Sequence, residues 1–187
     1  MVLPGHIAGG YLVAEALIAL TNPGIVLTGN EVLALTLIGT IAGEFPDIDL
    51  FRFTAEEKSG KRKVENHREY VTHAPIFWLL FSTLICGIGL LTDSLFMTYL
   101  GIFVLGGAWS HLFLDSIEYG VRWFWPYSNK RFAMMKDGPA HKVTKKPGTL
   151  KAHWEYISTT YLKTWTIWAE LALTLIAIVI ALQKYWL

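Results

Sequence analysis

The sequence predicts an all-α, polytopic membrane protein with about five transmembrane helices and a partly helical cytoplasmic loop. Composition is the first indication: hydrophobic residues make up 53% of the 187 residues and charged residues only 17%, whereas about 25% is usual in soluble proteins. The second indication is that long apolar stretches alternate with stretches that hold nearly all the charges. We therefore expect a single membrane-embedded domain over residues 1–187.

Five apolar stretches predict the membrane helices, and they cover residues 5–20, 31–43, 74–92, 94–114 and 164–182. The last three have about the 20 residues that a helix needs to cross a bilayer. The first two are shorter, so they need their flanking residues or a locally thinner bilayer. A soluble protein with very apolar buried helices is the alternative, and the length and hydropathy of the stretches count against it.

The Lys and Arg residues predict the orientation in the membrane. Of the sixteen, six lie between the second and third stretches and nine between the fourth and fifth, and the last is Lys184. The positive-inside rule places both basic loops in the cytoplasm, together with the N-terminus. The N-terminus also lacks the basic region of a secretory signal, so we expect the first helix to be retained. The prediction is a multi-pass protein of the inner (plasma) membrane.

The segment between the fourth and fifth stretches, residues 118–163, is too long for a simple connection. We expect it to be a cytoplasmic loop with structure of its own, or a mobile lid. Its aromatic part, 119–128, is typical of rings seated at a membrane interface. Residues 136–148 form a basic stretch that could rest on anionic headgroups, and 150–163 is predicted to be a surface helix.

Seven His and Asp residues fall at predicted helix ends that share one level of the membrane. They are His6, Asp47, Asp49, His67, His73, His111 and Asp115. Imidazole and carboxylate ligands together suit zinc, manganese or iron, and no set of cysteines indicates a structural zinc site. Four His and three Asp exceed the needs of one tetrahedral ion. We therefore predict a site for one, two or more divalent ions per chain, with zinc as the first expectation.

Each of these residues also has a simpler explanation when it is taken alone. His6 could cap a helix at the interface, Asp47 and Asp49 could form an ordinary turn, and His67 could be a solvated loop residue. His111 and Asp115, four residues apart on one helix face, could form a buried hydrogen-bonded pair without metal. None of these explanations accounts for the shared level. Glu44 lies three residues before Asp47 and is a candidate general base or further ligand.

Several short motifs resemble those of a known family. They are PDID (46–49), HR followed by THAP (67–68, 72–75), and HLFLD (111–115) followed by Gly120 and Trp125-Pro126. Together, from His6 to about Pro126, they resemble the membrane-bound metal-dependent hydrolases, also called LexA-binding inner-membrane-associated hydrolases. The resemblance implies a small helical membrane protein with a metal site and hydrolytic activity.

A more distant likeness is to bacterial zinc-dependent phospholipase C, whose metal ligands include a His-x-x-x-Asp pair, here His111 and Asp115. The later His and His-x-x-x-Glu ligands of that enzyme have no clear counterpart. His153 is followed by Glu155, which is the wrong spacing.

These observations favour a metal-dependent hydrolase of a phosphoester, acting at the cytoplasmic membrane interface. Glu44 and Arg68 are the candidate catalytic residues, and Arg68 could hold a phosphate bidentately or simply face lipid headgroups. Membrane lipid is the expected partner, and the substrate is a lipid-linked or soluble phosphoester. The net charge of +1 gives no reason to expect direct binding of nucleic acid.

Two further hypotheses stay open at this point. One is a metal-binding membrane protein without catalysis, a transporter or a sensor. Away from the span ends, only Glu15 and Glu170 are acidic residues inside the predicted spans, which counts against a transporter because a conduction path needs polar groups through the membrane. The other is a regulatory scaffold that binds a cytosolic partner. Oligomeric state does not follow from the sequence.

Overall fold

The computed structural model describes residues 3–21, 27–61, 63–135, 158–159 and 161–186. Within these residues the chain is all-α and contains no β-strand, as predicted. The six α-helices are α1 (Leu3–Thr21), α2 (Gly29–Ala42), α3 (Asp49–Lys58), α4 (Pro75–Leu91), α5 (Leu95–Glu118) and α6 (Trp165–Tyr185). Short 3-10 helices cover Phe45–Ile48, His67–Glu69, Val71–His73 and Tyr161–Lys163.

Local sequence explains where the helices begin. Thr28 precedes α2, and its side chain accepts a hydrogen bond from the Glu31 amide while the Glu31 carboxylate accepts one from the Thr28 amide. This reciprocal capping satisfies two amides that have no partner inside the helix. Pro75 opens α4, where its missing N–H costs nothing. Ser94 caps α5 through the Met97 amide.

α5 is the centre of the bundle and packs against α1, α2 and α4. Glycines allow the helix backbones to come close. A Cβ added to Gly10 of α1 would lie 2.8 Å from the carbonyl oxygen of Thr40 in α2, and one added to Gly107 of α5 would lie 2.8 Å from the Cβ of Ala42. Side chains at these positions would therefore separate α1 and α5 from α2.

α6 packs mainly on α1. One of their polar contacts joins Lys184 to Glu15, with the Lys184 Nζ 2.8 and 2.9 Å from the two carboxylate oxygens. This contact gives the Glu15 carboxylate a partner on another helix.

All five apolar stretches form helices, but the prediction that all five cross a membrane is not confirmed. Among the described helices, α5 and α6 are long and apolar enough to do so. α2 and α4 are apolar but have only 14 and 17 residues. By length and composition, then, two of the five predicted spans are supported.

The first part of the long segment 118–163 is folded against the end of α5. The amides of Met134 and Met135 donate to the carbonyl oxygens of Ser116 and Ile117 at 2.8 and 3.0 Å, and Val121 pairs with Phe132 in an isolated bridge. The basic stretch 136–148 and most of the surface helix predicted at 150–163 lie outside the described residues. The prediction of a lid therefore stays a prediction.

Candidate metal centre

All seven predicted ligands lie together at one end of the bundle. Two groups of side chains have ligand atoms that lie within 4.8 Å of one another, and these groups could hold metal ions; they are Asp47, Asp49, His67 and His73, and His6, His111 and Asp115. The groups adjoin, since His111 Nε2 is 3.6 Å from Asp47 Oδ1 and His73 Nε2 is 3.8 Å from Asp115 Oδ2. We call the seven residues the ligand cluster.

Three 3-10 turns in the connections between helices place four of the seven ligands. Pro46 is the second residue of the 3-10 turn that follows α2, so Asp47 lies in that turn and Asp49 begins α3. Proline at the start of the segment favours helical dihedral angles, so both Asp residues lie on helical backbone. Two further 3-10 turns between Asn66 and Ala74 turn His67 and His73 inward.

Asp49 holds two of the histidines by their Nδ1 atoms. Its Oδ2 lies 2.8 Å from His73 Nδ1, and its Oδ1 lies 3.0 Å from His67 Nδ1. The Thr72 hydroxyl also donates to Oδ2, at 2.5 Å. Burial raises the pKa of Asp49, but the hydrogen bonds from His67 and His73 outweigh it and leave the pKa below its usual value. Asp49 thus has the position of a carboxylate that orients candidate metal-binding imidazoles.

His111 is oriented by the backbone. Its Nδ1 donates to the carbonyl oxygen of Gly43 at 2.7 Å, so the neutral ring carries its lone pair on Nε2. The ring of His6 stacks on His111, with centroids 3.8 Å apart. Its Nε2 lies 3.5 Å from Asp115 Oδ1. Both rings are buried, at 1% and 0% exposure.

A set of buried atoms in this region has no hydrogen-bond partner within the described part of the chain. They are both ring nitrogens of His6, Nε2 of His73 and His111, Oδ1 of Asp47 and Oε1 of Glu44. Buried polar atoms without partners are rare and each costs about 1–3 kcal/mol. Five neighbouring residues of metal-ligand type carry such unpaired atoms, and a bound cation would give these atoms a partner. The donor set therefore fits a divalent metal ion.

Arg68 lies inside the cluster rather than at a lipid-facing surface. Its Nε donates to Asp115 Oδ2, and its Nη2 lies 3.3 Å from Asp115 Oδ1. The guanidinium also sits 3.9 Å above the ring of Tyr119. Burial lowers the pKa of Arg68, but Asp115 more than compensates and the pKa is raised. Arg68 thus neutralises a predicted ligand, and its role as a phosphate clamp stays a prediction.

A comparison with known families agrees with the fold and the composition. A model of the YdjM inner membrane protein family matches residues 1–187, the whole chain. The chain belongs to the YdjM inner membrane protein family. Searches of curated proteins and of solved structures gave no match.

Membership of the YdjM family confirms the predicted location in the inner membrane. A location in the membrane also explains why α6 exposes large side chains such as Trp168 and Leu175, because lipid would cover them. The family description names neither a hydrolase activity nor LexA binding. The match therefore does not support the hydrolase activity or the LexA binding that the resemblance implies.

Glu44 of this YdjM-family protein follows α2 and borders the cluster. Burial, followed by the nearby carboxylates of Asp47 and Asp115, raises its pKa to about 8. A carboxyl group with such a pKa can take up and release a proton near neutral pH. Glu44 thus lies beside the ligand cluster, and its role as a general base or an additional ligand stays a prediction.

Sequence reasoning missed several groups that support the ligands. Thr72 and the carbonyl of Gly43 hold Asp49 and His111, and Tyr119 lies under Arg68. Arg122 was read only as one of the basic loop residues, but its Nη2 donates to the carbonyl oxygens of Glu69 and Tyr70. The one available signal was position, since Thr72 directly precedes His73 and Tyr119 closely follows Asp115.

Proposed function

We propose that this YdjM-family protein is a metal-dependent hydrolase of a phosphoester, with its site at the cytoplasmic face of the inner membrane. The observation that carries the proposal is a set of buried polar atoms, on five ligand-type residues, that lack partners in the described chain. Such atoms are rare in protein cores, and a bound ion is one way in which a cluster of them is completed. Their His and carboxylate chemistry suits a divalent transition metal, with zinc the first expectation and manganese or iron the others.

The division of the cluster supports two ions. Asp47, His67 and His73 would hold one, oriented by Asp49, and His6, His111 and Asp115 would hold the other. Asp47 Oδ1 lies 3.3 Å from His73 Nε2 and 3.6 Å from His111 Nε2, between the two groups. Divalent ions supply Lewis acidity toward a phosphoryl oxygen and make bound water more acidic.

The residues around the ligands would move the proton and hold the substrate. Glu44 Oε1 would accept a proton as water attacks the phosphorus atom, and would return it to the alcohol oxygen when the P–O ester bond breaks. Arg68 would exchange part of its contact with Asp115 for a substrate phosphate oxygen. A site at the membrane interface suits a lipid-linked phosphoester, and a soluble phosphoester could reach the same side chains.

Elemental analysis and hydrolysis assays on one set of variants test the proposal. The purified chain would be compared with Asp47→Asn and His111→Ala, and with Asp93→Asn as the matched control. Asp93 is exposed in the turn between α4 and α5, so the same change there removes a carboxylate remote from the ligand cluster. Substrates would include bis(p-nitrophenyl) phosphate and phospholipid vesicles.

The proposal expects divalent metal in the wild type and in Asp93→Asn, with phosphoester turnover in both. Metal and turnover should be lost together in Asp47→Asn and His111→Ala. Bound metal without turnover on a broad panel of phosphoesters would favour the non-catalytic metal-binding alternative. Binding of a cytosolic partner that survives complete loss of metal would favour the scaffold alternative.

A further inference from the structure

The last span carries a buried carboxylate that the ligand cluster does not contain. Glu170 lies in the second turn of α6 and is 2% exposed. A carboxylate inside an apolar helix is costly unless its oxygens are hydrogen-bonded. Both oxygens of Glu170 have donors from other parts of the chain, which indicates a defined role for the side chain.

One of these donors is the first turn of α1. The Gly5 amide donates to Glu170 Oε1 at 2.9 Å. Gly5 is the third residue of α1, where amides have no carbonyl partner within the helix. A negative charge at this end also interacts favourably with the helix dipole. Tyr161, fully buried just before α6, donates its hydroxyl to the other oxygen, Oε2.

The contact between Gly5 and Glu170 also leaves no room for a side chain at residue 5. A Cβ added to Gly5 would lie 2.9 Å from Cγ and 3.0 Å from Cδ of Glu170. On the far side of the same turn, the carbonyl oxygen of His6 would lie 2.6 Å from a Cβ on Gly43. The backbone at residues 5 and 6 is thus held between Glu170 and the end of α2.

His6 depends on this confinement more than the other histidines of the cluster. His67 and His73 are oriented by Asp49, and His111 by the Gly43 carbonyl. Neither ring nitrogen of His6 has a hydrogen-bond partner in the described residues. Its orientation follows from the stacking on His111, from the 3.5 Å approach of its Nε2 to Asp115 Oδ1, and from the position of the α1 backbone.

We propose that Glu170 is a positioning residue of the metal centre: by binding the Gly5 amide, it fixes the first turn of α1 and holds His6 against His111. The inference rests on the metal binding put forward under Proposed function. α6 thus has a task beyond crossing the membrane, since its Glu170 supplies the hydrogen bond that holds His6 in the group of His6, His111 and Asp115.

A second polar contact between α1 and α6 provides the matched control. Lys184 pairs with Glu15, ten residues along α1 from Gly5 and therefore about 15 Å away along the helix axis. Glu15→Gln weakens the attachment of α6 to α1 without touching the turn that carries His6. If Glu170 served only to attach α6, the two contacts would be equivalent for metal binding.

The test is titration of the full-length metal-free protein in detergent with Co²⁺, followed by visible absorption. We expect Glu170→Leu to lower the Co²⁺ affinity by about tenfold or more and to change the absorption spectrum. Glu170→Gln keeps Oε1 as an acceptor for the Gly5 amide, so it should restore the spectrum and most of the affinity. Glu15→Gln should leave both unchanged.

Gly5→Ala decides the question if Glu170→Leu does not fold. Alanine suits a helix, but here its methyl group would displace the Glu170 carboxyl, so we expect the same loss of Co²⁺ affinity. Wild-type affinity and spectrum in Glu170→Leu or Gly5→Ala would overturn the inference, as would an equal loss in Glu15→Gln. A wild type that binds no Co²⁺ would overturn the proposed function too, whereas normal wild-type binding with unaffected variants would overturn only the role of Glu170.

Discussion

The Nδ1 atom of His111 lies 2.7 Å from the carbonyl oxygen of Gly43, so a histidine in the last turns of α5 is oriented by the backbone at the end of α2. This contact requires α1, α2 and α5 to approach closely, and glycine makes the approach possible. The same residue, Gly43, borders the carbonyl of His6. Two histidines of the ligand cluster thus depend on one small residue.

Gly43→Ala should therefore damage the site and destabilise the fold. The added methyl group would lie 2.6 Å from the His6 carbonyl oxygen, and overpacking of this kind costs about 1–3 kcal/mol. Thermal unfolding in detergent and metal content measure the two effects. Gly87→Ala is the control, because a Cβ there meets nothing within 4 Å. A variant Gly43→Ala with the stability and metal content of Gly87→Ala would contradict the packing argument.

Asp49 and Asp47 should differ in their effect on metal binding. Asp49 orients His67 and His73, and loss of such an orienting group lowers metal affinity by about 10- to 100-fold. Asp47 offers an oxygen without a partner in the described chain, so Asp47→Asn should remove a ligand and abolish stoichiometric binding. Calorimetric titration with Zn²⁺ distinguishes the two. Equal affinities in Asp49→Asn and Asp47→Asn would show that the two carboxylates have the same role.

Arg68→Gln should destabilise the metal-free protein and make it more dependent on metal. Asp115 is fully buried and Arg68 is 11% exposed, and breaking a buried ion pair costs about 3–5 kcal/mol. A bound cation would replace the lost positive charge, so Zn²⁺ should raise the unfolding temperature of Arg68→Gln more than that of the wild type. In Arg52→Gln the lost pair with Glu56 is exposed, so solvent screens it and little stability should be lost. An equal effect of Zn²⁺ on Arg68→Gln and the wild type would argue against a cation beside Asp115.

Arg122→Ala should loosen the segment that carries His67 and His73. Its guanidinium donates to the carbonyl oxygens of Glu69 and Tyr70, and hydrogen bonds from charged groups contribute about 1.5–3 kcal/mol. We expect faster hydrogen exchange at residues 67–73 and weaker metal binding. Arg131→Ala serves as the comparison, because Arg131 reaches the same segment only through an exposed contact of 3.8 Å with Glu69. Indistinguishable exchange in the two variants would exclude the anchoring role of Arg122.

The sequence predicted the helices and the level of the ligand cluster well, for a physical reason. Apolar runs interrupted by turns mark helix ends, and His6, Asp47 and His111 each stand at such an end. Alternation of direction between successive helices then places these ends on one side. The position of each residue along the bundle axis thus follows from the order of the helices in the sequence, and the structure brings the residues together as expected.

The roles within the cluster could not be predicted, because they depend on how each helix is rotated about its axis and on contacts between segments that are distant in the sequence. Arg68 follows His67 directly, yet it binds Asp115, 47 residues away. Glu170 looked like an isolated acid in a span and instead binds the first turn of α1. Spacing along one helix carries no information about such pairs.

The most direct test of the account is a crystal structure with anomalous scattering measured at the zinc, manganese and iron edges. The account predicts one or two anomalous peaks bounded by the Nε2 atoms of His6, His73 and His111 and by Oδ1 of Asp47. Peaks absent from this position in crystals of protein purified with its metal, or metal bound only by other residues, would contradict it.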